Sequence, residues 1–251
     1  MKVLIVIPSR YGSTRFEGKP LIDIQGKSLV QRTYLQATKA KLHAKVVVAT
    51  DDEKIYEHVS GFGECIMTSA NHISGTDRCF EVADVLNYDF DVLINLQGDE
   101  PFILPEQIEA LAAAFDNPAI DIATLKKFIR TEADLFNPNM VKVICDGNDQ
   151  AIYFSRHAIP YLRGVESAEW VNKFGYYRHV GMYAFKREAI SKLKDLQASG
   201  LELAESLEQL RWLENGFKIK VLKTEFVSPA IDTPADLRAV ENFLKSNPEL
   251  I

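Results

Sequence analysis

Cysteine is scarce in this chain, and the three present, Cys65, Cys79 and Cys145, are isolated and odd in number. That spacing excludes a disulfide framework and a paired-thiol zinc site, and reduced thiols of this kind imply a cytoplasmic protein. Long hydrophobic runs are missing too. The apolar opening at residues 3–7 stops at Pro8 and Arg10; that is strand length, far short of the ~20 residues a membrane-spanning helix needs, so no membrane insertion is expected. Nor is there a surplus of positive charge: 29 Lys and Arg face 35 Asp and Glu, a net charge of -6. Holding a phosphate polymer requires the opposite balance on one face, so nucleic acid is not an expected partner. No internal repeat and no linker rich in Pro, Gly or Ser marks a second independent domain, and one compact domain is the default.

What is present is enough apolar material, 47% of 251 residues, to fill one large core. The first half alternates short β-branched runs (3–7, 45–49, 92–96) with segments of helical period (29–41, 53–60, 76–86). This is the pattern of β-α-β units around a largely parallel sheet. Ligands bind such sheets outside the carboxyl ends of the strands, which directs attention to the loops at 8–20, 50–52 and 97–102. After Pro105 the pattern becomes mixed. A helix at 105–115 is followed by extended segments at 120–129, 140–145 and 151–154, a long polar and aromatic loop at 155–178, and a strand at 180–185. Helices at 187–196 and 203–215, a strand at 218–223 and a last helix at 233–244 complete the expectation.

The loop after the first strand, Pro8-Ser9-Arg10-Tyr11-Gly12-Ser13-Thr14-Arg15-Phe16-Glu17-Gly18-Lys19-Pro20, combines three cations with hydroxyls and two glycines. Arginine offers a planar fork of donors, lysine a mobile point charge, and glycine a close backbone approach, so the composition suits a polyanion. It is not a Walker loop, because five residues separate Gly12 from Gly18 and Pro20 stands where the metal-binding hydroxyl would be. The third strand runs into Gln97-Gly98-Asp99-Glu100-Pro101, delivering a carboxylate to the same sheet edge; a hard oxygen there suits Mg²⁺, although an acidic turn capping the next helix has the same composition. Asp232, in Ile231-Asp232-Thr233-Pro234, is either a second ligand or a helix N-cap.

These motifs occur in the order of the CMP-Kdo synthetase family, the 3-deoxy-manno-octulosonate cytidylyltransferases, which the chain resembles over nearly its whole length. The resemblance is carried by Arg10 to Arg15 with Gly18-Lys19-Pro20-Leu21, Val48-Ala49-Thr50-Asp51-Asp52, Ser74-Gly75-Thr76-Asp77-Arg78 and Asn95-Leu96-Gln97-Gly98-Asp99-Glu100-Pro101. It continues through Tyr153-Phe154-Ser155-Arg156, Arg178-His179-Val180-Gly181, Leu207-Glu208-Gln209-Leu210-Arg211 and Asp232-Thr233-Pro234. It implies an α/β, Rossmann-like nucleotide-binding fold with a mostly parallel twisted sheet flanked by helices and a mixed C-terminal subdomain. Residues 1–105 would form mainly the CTP half, and 106–251 the sugar-binding and dimerisation elements.

By the same resemblance, Arg10, Ser13, Arg15 and Lys19 hold the CTP triphosphate, and Asp51, Ser74, Thr76 and Arg78 surround the cytidine. Asp99 and Asp232 carry Mg²⁺, and Arg15, Lys19 and Asp99 act in catalysis. Gln97, Arg156, His179, Tyr183, Glu208 and Gln209 form the site for an acidic eight-carbon sugar, with Arg156 on its carboxylate. Taken without the resemblance, His179 reads equally as a packed histidine before a strand, Glu208 and Gln209 as the solvated face of a helix whose buried stripe is Leu203, Leu207, Leu210 and Leu213, and Arg156 as an exposed loop residue. The resemblance further implies a homodimer and a cytoplasmic role in lipopolysaccharide synthesis. The 8-amino analogue of the sugar is an alternative substrate, and a non-catalytic nucleotide-binding module a remote one. The chain departs from the family at Glu17, where proline is usual, at Ser9 for alanine and at Asp77 for glutamate.

Overall fold

The computed structural model describes residues 1–12, 16–226, 229, 231 and 236–247. They form two compact units, Met1–Ala112 with residues beyond 227, and Ala113–Phe226.

The first unit holds β1 (Lys2–Ser9), the short hairpin β2 (Asp23–Ile24) and β3 (Lys27–Ser28), α1 (Leu29–Thr38), β4 (His43–Thr50), α2 (Glu53–Ser60) and β5 (Cys65–Met67). α3 (Gly75–Val85), β6 (Val92–Asn95) and α4 (Pro105–Ala113) follow. β6, β1, β4 and β5 lie side by side and all parallel, in register from Lys2 opposite His43 to Ser9 opposite Thr50. Residues 3–7 of β1 are fully buried, as expected of a strand covered on both faces, and this is why the run is continuously apolar instead of alternating. α1, α2 and α3 each begin on a side-chain cap. Ser28 accepts from the Gln31 amide, Asp52 accepts from Lys54 and Ile55, and Ser74 and Asp77 form a reciprocal capping box; each such cap is worth about 1 kcal/mol. The last helix, Asp236–Ser246, buries Val240 and Leu244 against Ile24, Leu29, Phe102 and Ile231, at roughly 1.5–3 kcal/mol per side chain.

The second unit contains β7 (Ile122–Phe128), α5 (Glu132–Phe136), β8 (Lys142–Cys145), β9 (Ala151–Ser155) and α6 (Trp170–Lys173). β10 (Tyr177–Lys186), α7 (Arg187–Lys194), α8 (Gly200–Glu205), α9 (Gln209–Glu214) and β11 (Ile219–Lys223) complete it. β7 pairs antiparallel with β10 and parallel with β11, and β8 pairs antiparallel with β9 and β10, the mixed arrangement expected after Pro105. Between Val180 and Tyr183 the β10–β7 register slips: Val180 faces Leu125 but Tyr183 faces Thr124, so Gly181 and Met182 form a bulge.

Three sequence expectations require correction here. The segment 155–178 is not an open loop, because Trp170 and Tyr176 pack with Ile129, Leu135 and Ala158 into a core of their own, fixed by Tyr176 Oη donating to the Pro160 carbonyl at 2.8 Å and Trp170 Nε1 to that of Val165 at 2.9 Å. β10 begins at Tyr177, so His179 lies inside the strand. The helix expected at 203–215 is two helices, broken where Ser206 takes a left-handed conformation, φ 52°. Leu203 is consequently 70% exposed, and Trp212 is buried along with Leu207 and Leu210.

Candidate active site

In the first unit, β1 and β6 end beside one another and deliver opposite charges. Beyond β6 the chain passes so close to β1 that a Cβ on Gly98 would lie 2.9 Å from the Pro8 carbonyl oxygen; only glycine fits there. A 3-10 turn over Lys19–Leu21 follows Gly18, whose φ of 68° favours glycine and whose amide closes the loop on the Tyr11 carbonyl at 2.9 Å. Lys19 is thereby aimed at the end of β6, where its Nζ donates to Asp99 Oδ2 at 2.9 Å. Pro8, Ser9, Arg10, Lys19, Gln97 and Asp99 line one cleft. Arg10 is exposed there, and Glu17 is exposed too. Ser9 Oγ, at a position where the family usually carries alanine, is buried without a hydrogen-bond partner among the described residues.

Gln97 Nε2 donates to Asn95 Oδ1 at 3.4 Å, and Asn95 Nδ2 to Thr76 Oγ1 at 3.2 Å, a polar link between β6 and the first turn of α3. Asp51 and Arg78 are each other's partners: Arg78 Nη2 lies 2.9 Å from Asp51 Oδ2 with the arginine side chain fully enclosed, and Thr68 accepts from Nη1. Arg78 thus braces Asp51 from below instead of lining an open surface, and Ser74 serves as the N-cap of α3. Ser13, Arg15 and Asp232 lie outside the described residues. The residue before Asp232 is described, and the Ile231 amide donates to the Asp99 carbonyl at 3.4 Å.

The second unit contains Arg156, His179, Tyr183, Glu208 and Gln209 of the residues expected to hold a sugar, while Gln97 belongs to the first. Thr124, on β7, and His179, on β10, meet through Thr124 Oγ1 and His179 Nε2 at 2.9 Å. The His179 ring sits 5.0 Å from that of Phe154 and 5.2 Å from that of Tyr183. Burial in this apolar setting lowers the His179 pKa from its ordinary value to about 3, so the imidazole is neutral. Tyr183 is pinned edge-on by Trp212 of α9, centroids 4.9 Å apart. Its hydroxyl is buried with no partner among the described residues, and burial together with the charge of Glu208 holds its pKa well above the usual phenol value. It stays protonated. Gln209 is buried beside Glu208 at the start of α9.

Arg156 is more committed than expected. Its guanidinium donates to the carbonyls of Glu205 (2.7 Å), Pro138 (3.2 Å) and Ser206 (3.2 Å), while the Glu205 carboxylate accepts from the Arg156 amide at 2.9 Å and from Ser155 Oγ at 2.7 Å. Lys142 reinforces the same corner, its buried ammonium donating to the carbonyls of Asn137, Met140 and Arg156 at 2.9, 2.6 and 2.6 Å. Thr124, Glu205 and Lys142 carry no sequence signal of function; only tertiary placement reveals them.

Cationic and acidic groups meeting at the carboxyl edge of a parallel, helix-flanked sheet are the arrangement by which α/β proteins bind and transfer nucleotide phosphates, which defines a nucleotidyltransferase-type protein. Comparison with known proteins narrows the class. The model of the family described as cytidylyltransferase matches residues 4–219. A 3-deoxy-manno-octulosonate cytidylyltransferase of Parabacteroides distasonis is 49% identical over 249 residues, 97% of this chain and 98% of that protein; one of Bacteroides thetaiotaomicron is 49% identical over 98% of this chain and 99% of its own. A solved CMP:2-keto-3-deoxy-manno-octonic acid synthetase complexed with CTP superposes with a TM-score of 0.91 at 42% identity, covering 98% of this chain and all of that one. The chain belongs to the 3-deoxy-manno-octulosonate cytidylyltransferase family. An inositol-1-phosphate CTP transferase of T. maritima, at 19% identity and a TM-score of 0.65, shares the fold. No helix among the described residues is long and apolar enough to cross a membrane.

Proposed function

We propose that this protein transfers CMP from CTP to the anomeric hydroxyl of 3-deoxy-D-manno-octulosonate (Kdo). The hydroxyl oxygen bonds to the α-phosphorus, the α–β phosphoanhydride breaks, pyrophosphate leaves, and the hydroxyl proton passes to solvent. The observation that carries this reading is the contact of Lys19 with Asp99, 80 residues apart in sequence and 2.9 Å apart at the sheet edge, in a chain with near-full-length relatives of that name.

The residues present fit a magnesium ion. Asp99 is a hard oxygen donor beside a cationic loop, and Ile231 brings the chain to it. That donor set suits an ion that takes one or two carboxylates and completes its shell with water and phosphate. Asp99 and Asp232 would hold it, and when bound it would supply electrostatic stabilisation of the charge developing on the phosphates. Lys19 neutralises Asp99 until a triphosphate arrives and then shares its charge with the phosphates, together with Arg10 and Arg15. At about 4 Å and an intermediate dielectric such a charge pair interacts by roughly 4 kcal/mol, so this contribution falls on positioning and electrostatics more than on proton transfer. Asp51, braced by Arg78, faces the nucleoside, with Ser74 and Thr76 nearby. In the second unit His179, Tyr183, Glu208 and Gln209 would meet the sugar's hydroxyls, and Arg156 its carboxylate. The working form is a cytoplasmic homodimer with one nucleotidyltransferase domain per chain, supplying activated sugar for lipopolysaccharide.

The test is incubation with each of the four nucleoside triphosphates, Mg²⁺ and Kdo, followed by mass analysis of products. CMP-Kdo and pyrophosphate from CTP alone are expected; binding of CTP without pyrophosphate release would overturn the reading.

A further inference from the structure

We propose that Thr124 is a positioning residue: it locks the His179 imidazole in the Nε2–H tautomer and so presents Nδ1 as a hydrogen-bond acceptor for a hydroxyl of the sugar. The sugar's part in this statement rests on the function proposed above; the tautomer does not.

Thr124 is completely buried, and its Oγ1 lies 2.8 Å from the Met182 carbonyl oxygen, 3.3 Å from that of Val180 and 2.9 Å from His179 Nε2. A hydroxyl has one proton to give and two lone pairs to offer. Neither carbonyl can donate, and both are aimed at Thr124 by the bulge at Gly181 and Met182. The proton therefore goes to the nearer carbonyl, Met182. The contact with His179 must then run the other way, with Nε2–H donating into a threonine lone pair. The opposite tautomer would set two lone pairs against each other in a buried place and leave the bulge carbonyls without this donor.

A neutral imidazole with its proton on Nε2 has a bare lone pair on Nδ1. No hydrogen bond reaches Nδ1 from the described residues, and this atom is not among the sealed, partnerless ones. The group it meets must bring its own proton: a hydroxyl qualifies and a carboxylate does not. Next to it, the Tyr183 phenol is protonated but enclosed. An acceptor held at a fixed position discriminates among sugars by the direction of its hydrogen bond as well as by shape.

Two substitutions separate this from a purely structural role. Thr124→Val keeps the shape and removes the hydroxyl; Thr124→Ser keeps the hydroxyl. In protein labelled with ¹⁵N-histidine, the wild type should show a proton-bearing Nε2 and a bare Nδ1 for His179, T124S the same, and T124V a mixture. In steady-state kinetics T124V should raise KM for the sugar by about tenfold or more, the scale of one misdirected hydrogen bond, with KM for CTP unchanged and T124S close to wild type. A wild-type His179 protonated on Nδ1 would overturn the proposal, as would a T124V protein that keeps both the tautomer and the sugar KM. If T124V fails to fold, the wild-type and T124S spectra decide. If the wild type does not use Kdo, the functional reading fails while the tautomer measurement stands on its own.

Discussion

Changing Asp51 to Asn should strip a buried cation of its counter-charge. Arg78 has no solvent exposure at all, and its guanidinium is held by Asp51 Oδ2 at 2.9 Å and by the Thr68 hydroxyl, with Glu81 the other carboxylate that feels its charge. Breaking a buried ion pair by removing one partner costs about 3–5 kcal/mol. Asp51 itself is 18% exposed, which lets some water reach the vacated position and places the expected loss near the lower bound, about 3 kcal/mol. For a chain of this length each kcal/mol moves Tm by about 2–4 °C, so D51N should melt roughly 6–12 °C below wild type in scanning calorimetry at neutral pH. The companion double variant, Asp51→Asn with Arg78→Met, removes the stranded charge as well and should recover a substantial part of that loss, since an apolar replacement of a whole buried pair is often close to neutral. A D51N protein melting within about 2 °C of wild type, or a double variant no better than the single one, would show that Arg78 does not depend on Asp51, and the account of how the β4 end is braced would be wrong.

Asp99→Asn should leave the fold intact and slow pyrophosphate release from CTP and Kdo by at least about 100-fold, a loss of roughly 2.7 kcal/mol of transition-state stabilisation; near-normal turnover would remove Asp99 from the phosphate chemistry. His179 binds a proton in the unfolded chain below about 6.5 but in the folded protein only near 3, so the unfolded state holds more protons between those values and stability falls as pH drops through that window. The stability difference between wild type and His179→Gln, from urea midpoints at pH 7 and at about pH 4.5, should therefore shift against the wild type on acidification; parallel behaviour would contradict a buried neutral imidazole. Glu205→Ala cuts the bonds to Ser155 and to the Arg156 amide and should raise KM for the sugar several-fold while sparing KM for CTP, measured by varying each substrate separately; an equal rise in both would point to general unfolding of that corner.

The parts of the fold legible in the sequence were those where local chemistry and tertiary packing agree. Helix Glu53–Ser60 begins and ends where its Asp52 cap and apolar spacing place it, and residues 3–7 form a doubly covered strand because nothing polar interrupts them. The helix expected at 203–215 shows the opposite case. Its leucines satisfy the helical period across Ser206, but a left-handed residue there carries no glycine to announce it, and the break turns Leu203 outward while Trp212 becomes the buried anchor. The site divides the same way. Lys19 and Asp99 were legible because charge at the end of an apolar strand has few structural uses, and they do meet. The full enclosure of Arg78, the engagement of Arg156 by three carbonyls and the role of Thr124 were not, since each depends on a partner distant in sequence whose approach no local pattern encodes.

The two extra residues in β10 change what strand spacing means. Four positions along an extended chain span about 13 Å, yet His179 and Tyr183 stand opposite Lys126 and Thr124, which are only two positions apart, and their rings come within 5.2 Å. The chain has folded surplus length into proximity. Geometry of this kind is stored in residue count and not in residue identity. Replacing Gly181 or Met182 one at a time would leave it largely in place, whereas deleting both would straighten the strand and part the imidazole from the phenol without altering either.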